Sequence, residues 1–336
     1  MRTKYLLFSL YCLLLSCNTV KKETIRNQAT GGVFGTTYSI IYLADTTLDY
    51  QQEIDSVFRV VNQSLSTYIP DSDISKINQG DATLAVDHMF QHVFELSNEI
   101  YERSNGYFDP TVGILVNAWG FGPGEQVAMD SAKVDSLLNF VGFDKVKITP
   151  NNTVFKENAN IYFDFNAIAK GYAIDRVGVL MDKKGIENYL IEIGGELLAK
   201  GRNIQKEKPW AVGIDNPESE GQRELKLIIN LTDRALASSG NYRKYRVDEE
   251  TGEKYVHTID PITGFTRNSN TLGVTILAND CATADGYATA FMAMDLEAAK
   301  KIILADCSMD AYIIYADDQG GIQEFLTEGF KQVISQ

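Results

Sequence analysis

Residues 281–295 read CATADGYATAFMAMD and follow a short apolar run at 272–277. The run reads as a strand, and the stretch after it opens a helix. Asp285 and Thr289 stand four residues apart, so on a helix they share a face, one turn from each other. Both offer oxygen, which suits a hard cation such as Mg²⁺ better than zinc. Ala282, Ala284, Gly286, Ala288 and Ala290 surround them, small enough to let something bulky approach. A plainer reading makes Thr283 or Asp285 a helix cap and bonds Thr289 back to a carbonyl. Spacing alone favours the plainer reading.

Working outward, apolar periodicity predicts a strand at 161–165 and a helix over 166–184 that ends at Gly185. Further strands are expected at 189–193, 197–200, 210–214, 225–231, 235–239, 271–277 and 312–315. A strand at 32–43 precedes an amphipathic helix through Ile54, Phe58, Val61 and Leu65. Asp87 is placed to cap a helix carrying Phe90, Val93 and Phe94, with Gly106 just past its end, and Asp130 to cap another. Helices crowd the first half and strands the second, an α+β distribution rather than an alternating one.

The chain has 336 residues and a formal net charge of −14, which argues against nucleic acid as the main partner. The N-terminus reads as an export signal: Arg2 and Lys4 precede an apolar core at 6–15, too short for a stable membrane anchor. It ends in Leu-Leu-Ser-Cys, which resembles a bacterial lipobox and makes Cys17 the expected lipidation site. The expected order is a signal at 1–16, a polar tether at 17–30 and one domain at 31–336. Cys12 leaves with the signal, so Cys281 and Cys307 remain, either paired or as buried free thiols. There is no G-x-x-x-x-G-K-[ST], H-E-x-x-H or G-x-S-x-G, and the glycines at 120, 122 and 124 do not form a dinucleotide fingerprint.

Four other stretches depart from ordinary core or surface. In DFNAIAKGY (164–172) a strand meets a helix start, whose free N–H groups and Lys170 suit a phosphate. IGGE (193–196) places a glycine pair at a strand end, and SSGNY (238–242) offers the Ser238 and Ser239 hydroxyls. Each also reads as a plain turn. In HTIDPITG (257–264), His257 with Asp260 three residues on is a candidate general base, although Asp260 equally suits bonding its own turn. His88 and His92 lie four apart on a helix, a spacing met more often at surfaces than at metal sites.

Taken together, FGTTYS, LSTYIPDSDISKIN, FDPTVG, AWGFG, DFNAIAKGYAID, IEIGGELLAKG, ALASSGNYRKY, HTIDPITG and CATADGYATAFMAMD resemble, in order, the ApbE family of FAD:protein FMN transferases. The likeness runs from about residue 32 to 334. It implies an ApbE-like, T-fold-related α+β structure, with mixed sheets, flanking helices and FAD in a cleft between two subdomains. It also implies that Asp164 and Lys170 contact FAD, while Phe34, Tyr68, Ala118, Trp119, Gly120 and Ile259 wrap it. By the same resemblance the Ala167 carbonyl, Asp285 and Thr289 hold Mg²⁺, and His257 is the base. The implied reaction moves FMN from FAD to a threonine of an exported domain of a membrane redox complex, of the sodium-translocating NADH:quinone oxidoreductase type or related. Some relatives instead hydrolyse FAD, and a lipoprotein that only binds flavin is a third expectation.

Overall fold

Two strands, β1 (Ile25–Val33) and β2 (Thr36–Ala44), open the fold as a hairpin turned by Phe34 and Gly35. Both turn residues have positive φ, 51° and 73°. That conformation matches the twist of a tight hairpin but is costly for a bulky aromatic residue. The computed structural model describes residues 23–216, 224–240, 245–247, 254–267 and 269–335. The export signal and Cys17 lie outside these residues, as do Asn241 and Tyr242. Strand β1 takes in residues 25–30, which the sequence assigns to the tether. Its inward positions are Asn27 and Ala29 rather than large apolar residues, so the alternation carries no hydrophobic signal. Asn27 is satisfied by the loop after β2: its amide donates to the Thr46 carbonyl and its oxygen accepts from the Leu48 N–H.

Next come α1 (Gln51–Leu65), α2 (Asp73–Asn78), α3 (His88–Arg103), α4 (Gly113–Ala118) and α5 (Ser131–Leu138). Asp87 and Asp130 cap α3 and α5 as the sequence predicts. Strands β3 (Val146–Ile148) and β4 (Val154–Lys156) form a small hairpin before α6 (Ala169–Lys183). The second half contains β5 (Asn188–Ile193), β6 (Glu196–Lys200), β7 (Trp210–Asp215), β8 (Leu225–Leu231) and β9 (Arg234–Gly240). It continues with β10 (Tyr245–Val247), β11 (Lys254–Val256), β12 (Thr271–Ala278), α7 (Cys281–Ala293) and α8 (Leu296–Ala305). Last are β13 (Asp310–Ala316), β14 (Ile322–Leu326) and α9 (Glu328–Val333).

Eight strands form one sheet in the order β1-β2-β5-β6-β9-β12-β13-β14, with every neighbouring pair antiparallel. Helices α1, α6 and α7 cover one face, burying Ile54, Phe58, Ile174, Val177 and Cys281 with Ile40 and Ile191. The β7–β8 hairpin and α9 cover the other through Trp210, Val212, Ile229 and Phe330, packed on Leu236, Leu277 and Tyr312. Strand β12 is therefore enclosed on both faces, which is why it reads as an unbroken apolar run rather than an alternating one. Helices α2 and α3 and the β3–β4 hairpin form an outer layer on α7, with Phe90, Phe163 and Phe165 at its centre.

The expected strand at 161–165 is not one. Tyr162 makes a single parallel bridge to Val112, and the segment is held by a side chain instead. Asn78 donates to the Phe163 carbonyl at 2.9 Å and accepts its N–H at 2.8 Å, taking both hydrogen bonds a ladder would have supplied. Asn78→Ala is expected to destabilise the protein by about 1–3 kcal/mol in urea unfolding, because both backbone groups lose their partner.

Candidate functional site

The junction of α6 and α7 is set by a glycine. A Cβ on Gly171 would lie 2.4 Å from the Cys281 carbonyl oxygen, so only glycine lets the two helices touch there. The contact brings the Asp175 carboxylate to the start of α7, where it accepts the N–H groups of Cys281 (2.7 Å) and Ala282 (2.9 Å). Asp280 caps the same helix from the Thr283 N–H, so neither Thr283 nor Asp285 is the cap. Eleven of the thirteen residues of α7 are buried, with Thr283 and Thr289 half-exposed. Its small residues are consumed by packing: a Cβ on Gly286 would meet Ile100 at 2.5 Å.

Asp285 is buried, and its Oδ2 accepts the Gly171 N–H at 3.1 Å. Lys170 pairs with Glu196 at 2.7 Å. Glu196 is buried at the start of β6, after a turn in which Gly194 and Gly195 both have positive φ and Gly195 donates to Glu192. Burial, then the Glu196 charge, pushes Asp285 up to about 8, while Lys170 and the Gly171 N–H pull it down. Burial works against the Lys170 charge, but Glu196 and Asp285 together hold the ammonium above its ordinary value. Two buried carboxylates thus act on one lysine, which is ion-paired with Glu196. A divalent cation would offset the excess negative charge, and carboxylate, hydroxyl and carbonyl oxygens are the donors Mg²⁺ prefers. Ala167 lies in the turn before α6, half-buried, and Thr289 lies one turn along α7 from Asp285. Among the described residues no group of three His, Cys, Asp or Glu side chains forms a metal site.

Burial pushes Asp175 up to about 7, although its two N–H donors pull it down. Its folded pKa lies above the unfolded value near 3.8, so ionisation disfavours folding, and the stability this group contributes at low pH is lost from about pH 4 to 7. In Asp175→Asn that component of the pH slope is expected to vanish, read as the difference between urea unfolding curves of variant and wild type at pH 4.5 and 7.5.

Asp164 precedes this junction and bonds the Asn166 N–H at 2.7 Å, with its backbone N–H on the Pro110 carbonyl. The Tyr68 ring is 59% exposed, and its hydroxyl is raised by burial first and then by the nearby Asp164 charge. The Asp164 charge is therefore near enough to act on the Tyr68 hydroxyl. Ala118, Trp119 and Ile259 share one core cluster, and the Trp119 Nε1 donates to the Gly264 carbonyl at 2.9 Å. Gly120 closes α4 with φ 81°. Phe34 packs edge-on against Phe58, 5.7 Å between centroids, at the hairpin tip.

His257 follows β11, half-buried, at the head of the loop that closes over Trp119. Asp260 serves its own turn, accepting the Ile262 and Thr263 N–H groups, with Arg267 at 3.7 Å. The plainer reading of Asp260 therefore holds. Ser238 and Ser239 separate: alternation along β9 puts Ser239 with Ala237 on the α7 face and Ser238 with Leu236 on the opposite one. The Ser238 hydroxyl is bonded to Thr275 at 2.8 Å and stands apart from the Lys170–Asp285 cluster. Cys281 is a buried free thiol and Cys307 an exposed one, so they do not pair. His88 and His92 are both exposed, and His92 lies against the Tyr172 ring.

Glu196 and Asp175 are the charged residues that sequence reading passes over. The signal for Glu196 was present: a carboxylate directly after Gly-Gly, opening an apolar strand. For Asp175 there was none, since its partners lie 106 and 107 residues away.

The family model described as the ApbE family matches residues 34–313. Curated relatives include the FAD:protein FMN transferases of Vibrio cholerae, 36% identical with 96% of each chain covered, and Haemophilus influenzae, 34% identical with 92% of each covered. Among solved structures, the flavin transferase ApbE from Vibrio cholerae superposes with a TM-score of 0.82 at 34% identity, over 93% of this chain and 99% of that one. The apbe protein from Thermotoga maritima gives 0.81 at 26% identity, over 93% and 100%. With its α+β antiparallel architecture and the motifs in the family's order, this chain belongs to the ApbE family.

Proposed function

We infer that this chain is an FAD:protein FMN transferase, an enzyme that moves the FMN part of FAD onto an acceptor protein. The observation that carries this reading is the buried Lys170–Glu196–Asp285 cluster at the α6–α7 contact, in a chain whose curated relatives bear that name. Asp164 and Tyr68 would hold FAD on one side of that junction, with Trp119, Ile259 and Phe34 forming apolar walls. Ala167, Asp285 and Thr289 would hold Mg²⁺, which supplies charge neutralisation on the diphosphate oxygens. Lys170 adds a fixed positive charge beside them.

In the transfer step a threonine oxygen of the acceptor attacks the FMN phosphorus. The bond from that phosphorus to the AMP oxygen breaks, and AMP leaves with the electron pair. His257 accepts the proton of the threonine hydroxyl. His257→Ala is expected to slow transfer by about 10²-fold with FAD affinity little changed, read by single-turnover kinetics. The acceptor is proposed to be an exported domain of a membrane redox complex, reached by an enzyme lipidated at Cys17.

The test is incubation of the mature protein with FAD, Mg²⁺ and an acceptor domain, followed by intact mass. A covalent FMN adduct with AMP release is expected. AMP formed at the same rate without acceptor would shift the reading to FAD hydrolysis, and FAD binding with neither product would leave a flavin carrier.

A further inference from the structure

The Lys170 ammonium is 2.7 Å from the buried Glu196 carboxylate, and the next residue, Gly171, donates its N–H to a second buried carboxylate, Asp285. Asp285 also senses the charges of both Lys170 and Glu196. A lysine rooted next to Gly171 is a competitor for any cation that Asp285 is to bind, because its side chain could neutralise that carboxylate itself. In the structure that ammonium is paired with Glu196 instead. Glu196 is carried by a different element, at the mouth of a Gly194–Gly195 turn whose positive φ angles and Glu192–Gly195 hydrogen bond fix where β6 begins. Its side chain is 6% exposed against 28% for that of Lys170, so the anchor is the enclosed partner and the lysine the tethered one.

We propose that Glu196 is a positioning residue that draws the Lys170 ammonium away from Asp285 and so keeps that carboxylate available to a divalent cation. The proposal deepens the transferase reading and rests on it, because it takes the Asp285 side as the cation's and the Lys170 side as the phosphate's. With the pair intact, Lys170 would stay on Glu196 and a cation would have Asp285 to itself. Without Glu196, Lys170 turns to Asp285 and the two positive charges compete for one carboxylate.

The experiment is a double-substitution cycle on the mature chain, with Glu196→Gln, Lys170→Met and both together. The quantity read is the factor by which Mg²⁺ tightens FAD, from FAD fluorescence titrations in Mg²⁺ and in EDTA, alongside thermal melting of each variant. Glu196→Gln is expected to cut that factor on the order of tenfold where Lys170 is present, and less than about twofold where Lys170 is Met. Equal losses in both backgrounds would mean that Glu196 acts only as a nearby negative charge, and would overturn the proposal. An unchanged factor in Glu196→Gln overturns it as well. The double variant has neither charge of the pair, so it tests the proposal even if Glu196→Gln alone melts early. If wild-type protein binds FAD without any Mg²⁺ effect, the metal assignment itself fails and the proposal with it. If the wild type shows the effect and the cycle is additive, only the proposal fails.

Discussion

Asp285→Ala is expected to lower FMN transfer by about 10³-fold while the protein stays folded and still binds FAD, though less tightly. The separation follows from the energetics of the site. Asp285 is a buried carboxyl whose pKa is raised by burial and then by Glu196, so forming its charge is costly to the fold when no cation is bound. Removing it relieves that burden and leaves the Lys170–Glu196 pair intact, at the cost of one hydrogen bond from Gly171. The melting temperature in EDTA should therefore hold or rise as activity collapses. Asp164, Tyr68 and the Trp119 wall, to which the proposed function gives FAD contacts, are untouched, which would preserve part of the FAD affinity. Transfer rates measured by acceptor mass, FAD titration and melting together decide the matter, and undiminished transfer would refute the role given to Asp285.

Gly171→Ala is the opposite case, a single methyl that should damage fold and site together. The added carbon would stand 2.4 Å from the Cys281 carbonyl oxygen and 2.7 Å from its carbon, both backbone atoms that no rotamer change can move aside. Helices α6 and α7 must separate. That strains the two bonds from α7 to Asp175 and the one from Gly171 to Asp285. Overpacking of this kind costs about 1–3 kcal/mol, and the stretched hydrogen bonds add to it. A clear fall in the urea midpoint is expected, with loss of Mg²⁺-dependent FAD binding in the fraction that remains folded. An unchanged midpoint would mean that the helices can part freely and that the contact does not organise the site.

Much of this architecture is legible in the chain. The caps Asp87 and Asp130, the strand at 225–231 and the strand-to-helix run at 272–293 carry local signals, in side-chain chemistry or periodicity, that the fold obeys. What escapes is whatever depends on a distant partner. Residues 161–165 have strand composition, but their hydrogen bonds go to Asn78, 85 residues earlier. Residues 25–30 look like tether because an asparagine and an alanine take the inward positions of β1. The small residues of α7 read as space for a ligand, yet the space is filled by neighbouring side chains and helices. Asp285 and Thr289 keep the shared face their spacing implies. Lys170 proves to be half of an ion pair, a fact that sits in the first residue of β6 and not in its own motif.

The strand order gives the timing of assembly a particular form. Strands β9 and β12 are neighbours at the centre of the sheet, but α7 and its carboxylate follow β12 in the chain. A chain broken off before Thr271 would hold Asp164, Lys170 and Glu196 but no Asp285. It would also leave β9 as a raw edge, and α6 without the surface its glycine was shaped to meet. Such a fragment lacks a side chain that the proposed metal site needs. On the proposed assignment, an unfinished or truncated copy would assemble no complete site, by chain order alone.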